Sequence, residues 1–382
     1  MDPLTHVIDP NGEVIIVLLN AGSSFAEMSE DKNKKKGCQF VLDPLEPLSP
    51  PIAEPAISED PTPTDEPILS AEPVPTGDTP AERAVQQPVE TGIVPESLDG
   101  NSFRIQVSAK HLMFASSFFR KLLTGLWKEN VTNLERSPVE ITAEDWDIEA
   151  LLILLRAIHG QQYQILRKLT LEMLAKVAVL ADYYDCKEAV YIWTTTWIDA
   201  QEEEVPKTCS RDSFLWLWIS WFFQLPARFE ETTSTIMSWS DGWIDNLGLP
   251  IPDRVIGAMN KRREEVIDNL ICRIHQTQKD FLNGSRGCIY ECRSIMYGAL
   301  TKEMQSNDLL SPLPTSPFPG KNYQQLAQKV SKFKSPQWTA WTSRSSAFDS
   351  PYRHNCLNST FATIFSGLNG TIEGLHLYSF IS

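Results

Sequence analysis

At 382 residues, with 42% hydrophobic and 22% charged side chains, the chain is long enough for two or more domains and a sizeable core. Its net charge of −15 excludes nucleic acid as the default partner, because phosphate contacts need clustered Lys and Arg. The aromatic-rich run Ser213–Leu225 falls short of the roughly 20 apolar residues that span a bilayer, so no membrane segment is expected.

The N-terminal stretch lacks a basic n-region, and its apolar run Val14–Leu19 is too short for a signal-peptide core. The seven cysteines therefore read as reduced thiols, and the expected location is cytoplasmic or nuclear. "GEVIIVLL" (Gly12–Leu19) is a short buried-strand run. The following segment, 29–98, reads as a disordered linker. Between Gln39 and Leu98 it holds 12 acidic residues against Arg83 alone, a net of −11, with proline every few positions. A bare spacer is the simpler reading, a docking peptide the sharper one. The basic run Lys32–Lys36 fits a nuclear signal or an ordinary tail.

Beyond the linker, Phe103, Ile105 and Val107 alternate with Arg104, Gln106 and Ser108, a half-buried strand. From Ala109 the period lengthens. Leu112, Ala115, Ser116, Phe119, Leu122 and Leu123 then share one face of a helix. Excising the linker leaves two strands that form a hairpin with a swollen loop, tolerable because closure cost grows only logarithmically with length. Ser137–Thr142 is a third candidate strand, with Thr142 as N-cap and Glu144 and Asp145 in the first turn of the next helix. That helix carries Leu151, Leu154, Leu155 and Ile158, and ends at His159-Gly160. Thr170 starts another, and Lys187–Ala200 makes a third. A few strands followed by a helix cluster is an α+β arrangement.

In this order the residues resemble the BTB (POZ) domain, in the divergent form found in filamentous fungi. The resemblance covers about Val7–Ala200 without the linker. It rests on Glu13-Val14-Ile15-Ile16-Val17, on the spacing of Leu112, Ser116 and Phe119, and on "LLRAIHG", "LAKVAVLADYYDC" and "WTTTWID"; Ser108 stands where the family has histidine. It implies a BTB/POZ-like domain over 1–28 and 99–200, interrupted by 29–98, and a role in binding other proteins. Many members bind a cullin-type ubiquitin ligase scaffold through an apolar-x-Glu motif after the first long helix, matched here by Trp127-Lys128-Glu129. Trp127, Glu129, Phe119 and Leu123 are the implied partner-binding residues; the alternative is that Trp127 plugs the domain's own core. Family members often self-associate through an additional N-terminal helix. Met1–Gly12 is too short to supply one.

Residues 201–310 read as a helical extension. The dense stripe Leu215, Trp216, Trp218, Ile219, Trp221, Phe222 and Phe223 suits a helix–helix core. A long helix, Asp253–Leu282, buries Val255, Met259, Val266, Leu270 and Ile274 and stops at Gly284. Residues 311–382 read as a proline-rich connector and a small α+β segment, whose end, "TIEGLHLYSFIS", alternates like a strand.

Cys288-x3-Cys292 and the pair His354 and Cys356 supply the thiolates and imidazole that structural zinc prefers, with Cys272 and His275 as a further pair. Their spacing matches no standard zinc finger, and buried cysteines are ordinary core residues. The sequence therefore favours no cofactor, with structural zinc as the alternative. His354 and Cys356 at i and i+2 make a poor base–nucleophile pair, and phosphate-loop, HExxH and GxSxG patterns are absent. The expectation is a non-enzymatic adaptor, with an oligomerising scaffold or a transcription-associated regulator as the alternative.

Overall fold

Residues 4–28, 102–129, 138–202, 204–340, 352–354, 356 and 359–381 are described in the computed structural model. The acidic linker and Lys32–Lys36 lie outside them. A four-stranded sheet is built from β1 (His6–Val7), β2 (Val14–Leu19), β3 (Phe103–Val107) and β4 (Val139–Glu144), in the order β1-β3-β2-β4. β2 and β3 are antiparallel, with Val14 opposite Val107 and Leu18 opposite Phe103. The two strands that flank the acidic segment thus do lie side by side. Gly12 makes the entry to β2 possible: a Cβ there would sit 2.3 Å from the Val107 carbonyl oxygen.

β4 runs parallel to β2, with Val14 opposite Val139 and Leu18 opposite Ala143. It extends two residues past the predicted strand end, because Ala143 is small enough to be buried against the sheet. Thr142 is consequently a strand residue and caps nothing. Asp145 turns the chain with a φ of 63°, and the real N-cap is Asp147, whose carboxylate accepts the amides of Glu149 and Ala150 at 3.0 and 3.1 Å.

The helix predicted from Ala109 is two: α1 (Ala109–Ala115) and α2 (Ser117–Glu129). Ser116 divides them in an extended conformation. Its hydroxyl donates to the Tyr184 carbonyl and accepts the Phe119 amide at 3.0 Å, so it starts α2 while tying it to a later helix. α3 (Ile148–Ile158) ends as expected, with Gly160 at a φ of 72°. Its C-cap His159 is no cation, however. Nδ1–H donates to the Leu155 carbonyl at 2.7 Å and Nε2 accepts the Ser108 amide at 3.0 Å, a combination only the neutral ring supports.

α4 (Leu171–Tyr183) begins at Thr170, which accepts the Met173 amide at 3.2 Å. The third predicted helix is again divided, into α5 (Lys187–Tyr191) and α6 (Thr194–Asp199). The break falls at Trp193, bonded i to i−3, just before three β-branched threonines with low helix propensity. α7 (Arg211–Phe222) buries nearly its whole circumference, including Trp216 and Trp218, as the aromatic stripe implied. It packs against α4 and against α8 (Pro226–Trp239).

The buried residues of the sheet, α3, α4, α7 and the later helices form one continuous cluster, so the boundary after Ala200 falls inside a shared core. α9 (Asp253–Asn283) leads through a left-handed Gly284 to α10 (Tyr290–Ser306), followed by α11 (Tyr323–Ser331). β5 (Thr339–Ala340) pairs antiparallel with β6 (Tyr352–Arg353), and α12 (Phe361–Ile364) follows. The predicted closing strand is absent. Its backbone is held by α8 side chains instead: Ser238 Oγ accepts the Ile372 amide at 2.7 Å and Thr233 Oγ1 accepts that of Leu375 at 2.9 Å. The end is a 3₁₀ turn at Leu377–Phe380. No helix of the described residues is long and apolar enough to cross a membrane.

Candidate metal centre

The left-handed Gly284 stops α9, and the chain reverses through a short turn into α10. That turn carries Cys288, and Cys292 follows in the first turn of α10, an i,i+4 pair. The second pair arrives from the β5–β6 ribbon. The His354 amide donates to the Trp338 carbonyl at 2.9 Å, and the two rings stack at 4.3 Å and 19°. Two residues on, Cys356 is fixed by Ser359: the Ser359 amide donates to its carbonyl at 2.9 Å, and the thiol donates to Ser359 Oγ at 3.1 Å.

The four ligand atoms, three Sγ and one imidazole nitrogen, all lie within 4.8 Å of one another. Cys288 Sγ and His354 Nε2 are 3.4 Å apart. A tetrahedral ion with bonds of about 2.3 Å to sulfur and about 2.0 Å to nitrogen sets ligand–ligand edges of roughly 3.5–3.8 Å. The residues fit such an ion with small side-chain adjustments. Cys292 is buried, His354 and Cys356 are half-buried, and Cys288 is exposed. Burial pushes the Cys292 thiol up to about 11. Burial also acts to raise Cys356, but hydrogen bonds with Ser359, Cys288 and Cys292 outweigh it and hold that thiol below the ordinary range. Cys272 and His275 do not join the cluster. The Cys272 thiol points at Asp268, and His275 Nε2 is engaged by the Leu309 carbonyl at 2.8 Å.

The implied partner-binding residues separate into two sets. Phe119 and Leu123 are 2% and 0% exposed, and Phe119 stacks on Tyr184 at 4.8 Å. They anchor α2 in the core and face no partner, because the Ser116 break turns that stripe inward. Trp127 and Glu129 form the last turn of α2, and their side chains lie outside the described residues. What the sequence reading missed is a groove of about 540 Å³ beside the first turns of α2, walled by Phe118, Leu122, Trp146 and Tyr183 and edged by Glu140 and Glu144. Tyr183 is 56% exposed there. The Tyr183-Tyr184 doublet at the end of α4 was the available signal, since successive helical side chains point about 100° apart and two bulky rings there project in different directions.

Comparison with protein-family models found no match to this chain, and neither did comparison with the curated proteins.

Proposed function

We propose that the chain is a non-enzymatic protein-interaction adaptor or scaffold with a BTB/POZ-like module. The observation that carries this reading is the pairing of Val14–Leu19 with Phe103–Val107, feeding directly into α1 and α2. It supplies the two strands and the apolar helical stretch after them on which the resemblance rests. The aromatic groove beside α2 and the open edge of β4 give the module a face suited to a protein partner. A cullin-type scaffold is the specific partner suggested by Trp127-Lys128-Glu129, which ends the helix that carries Phe118 and Leu122. Glu129→Lys should abolish co-purification with a cullin while leaving the circular dichroism and melting curve unchanged. If the wild-type protein never co-purifies with a cullin, the ligase contact is wrong. A concentration-dependent mass in light scattering would then favour the oligomerising scaffold.

The convergence of Cys288, Cys292, His354 and Cys356 favours a second assignment, a structural zinc ion. Four protein ligands leave no open position, which suits stability rather than catalysis. Zinc would lock the β5–β6 ribbon onto the α9–α10 turn. Elemental analysis of the purified chain should find one zinc per molecule, lost in Cys292→Ser. Metal-free protein with fully reduced thiols sinks the assignment.

A further inference from the structure

The three sulfurs of the Cys/His cluster differ in their access to water. Cys288 stands before the N-cap of α10 and is exposed. Cys292 lies inside α10 and is 0% exposed. Cys356 is half-buried, and with His354 it lines a pocket of about 460 Å³ whose walls include Met296, Trp338 and Ser359. The Cys356 thiol is hydrogen-bonded to both other thiols, and all the sulfurs lie within 4.8 Å of one another.

This is a poor arrangement for a site that only needs to endure. A sealed structural site would bury every sulfur, because a metal-bound thiol is a thiolate and a thiolate is the form that oxidants attack. Here one sulfur faces water, and a second can reach it. We propose that Cys288 and Cys356 form a peroxide-responsive modification site, whose oxidation exchanges the bound ion for a disulfide; this rests on the zinc assignment above.

The chemistry balances with a hydroperoxide as oxidant. The exposed Cys288 thiolate attacks one peroxide oxygen, the O–O bond breaks, and a sulfenic acid and hydroxide result. The Cys356 thiolate then attacks the Cys288 sulfur. The S–O bond breaks, a second hydroxide leaves and the disulfide forms. Two thiolates have given up two electrons, and the peroxide has been reduced to two hydroxides. Cys356 is the resolving sulfur because its pocket offers the departing hydroxide a path to water, whereas Cys292 is sealed. Cys292 and His354 then remain as two ligands, half of a tetrahedral set, and the ion is lost.

The test uses the full chain, reduced, loaded with zinc and freed of excess metal. Hydrogen peroxide is added, zinc release is followed with a chromogenic chelator, and cysteine links are mapped by mass spectrometry of unreduced peptides. About one zinc per chain should appear together with a Cys288–Cys356 link, and dithiothreitol with added zinc should reverse both. Cys288→His keeps four ligands without the exposed sulfur, and should slow zinc release at least tenfold. Zinc that stays bound through peroxide overturns the proposal and leaves the zinc assignment standing. Release without that link, a link from Cys288 to another cysteine, or wild-type release from zinc-loaded Cys288→His also overturns it. A reduced chain that takes up no zinc sinks the assignment, and the proposal with it.

Discussion

Cys288 Sγ and His354 Nε2 stand 3.4 Å apart although 66 positions separate them in the chain. Closing a loop of that length costs about 4 kcal/mol of chain entropy. Structural zinc sites bind with apparent free energies of about 10–16 kcal/mol in small peptides, so a bound ion outweighs the closure cost comfortably. Without one, three thiols and a ring must hold the same approach by weak hydrogen bonds.

Metal removal should therefore cost stability. Chelation, or Cys292→Ser, is expected to lower the melting temperature by about 6 °C, as loss of a ligand present at about a thousand times its Kd would do. Added zinc should restore the chelated wild type and not the variant. Scanning calorimetry with and without zinc reads this, and identical curves would count against a stabilising ion.

His159 should make stability fall on mild acidification. Burial lowers its pKa first of all and the stacked His111 ring acts in the same direction, while the Leu155 carbonyl and the charge of Asp9 oppose them. The folded state thus keeps the ring neutral where the unfolded chain protonates it. The stabilisation is complete above the unfolded value of about 6.5 and is lost as pH falls from there toward the depressed folded value, at no more than about 1.4 kcal/mol per pH unit. His159→Gln should be less stable at pH 7 by about 1–2 kcal/mol, through the altered Ser108 and Leu155 bonds. It should also show a shallower loss between pH 7 and 5. Urea midpoints measured across that range decide it; parallel curves would contradict the assignment.

Arg263 is fully buried, and its guanidinium donates to the Ser240, Pro317, Phe318 and Lys321 carbonyls at 2.7–3.2 Å. Replacing it by methionine leaves those carbonyls without their donor and should cost about 3–5 kcal/mol in urea unfolding. Lysine should not rescue, because one ammonium group cannot reproduce the planar fork that reaches both sides of the loop. A loss below about 1 kcal/mol would mean that water replaces the guanidinium freely.

Much of the fold was legible because its signals are short-range. Thr170, Gly160 and Gly284 cap where the local pattern places them, and of the predicted α9 stripe Val255, Met259, Leu270 and Ile274 are buried while Val266 is half-buried. The misreadings share one cause. Ser116 breaks a helix because its hydroxyl finds Tyr184, 68 positions away, and Thr142 stays in a strand because β2 pairs with it. The last segment alternates like a strand but finds side-chain hydroxyls of α8 where a strand neighbour would have to be. Phe119 and Leu123 entered the partner-binding set through the resemblance, whereas periodicity marked their face without saying what covers it.

By itself the sequence determined the two strands flanking the acidic segment, the succession of helices after them and the residue types of a metal site. Periodicity and capping act within a few residues and need no knowledge of the rest of the chain. Only the tertiary structure decided that Cys288, Cys292, His354 and Cys356 converge and that Arg263 is buried beneath a loop. Those relations depend on the path of the whole chain, which is set by the summed burial of a core shared from β2 to α12.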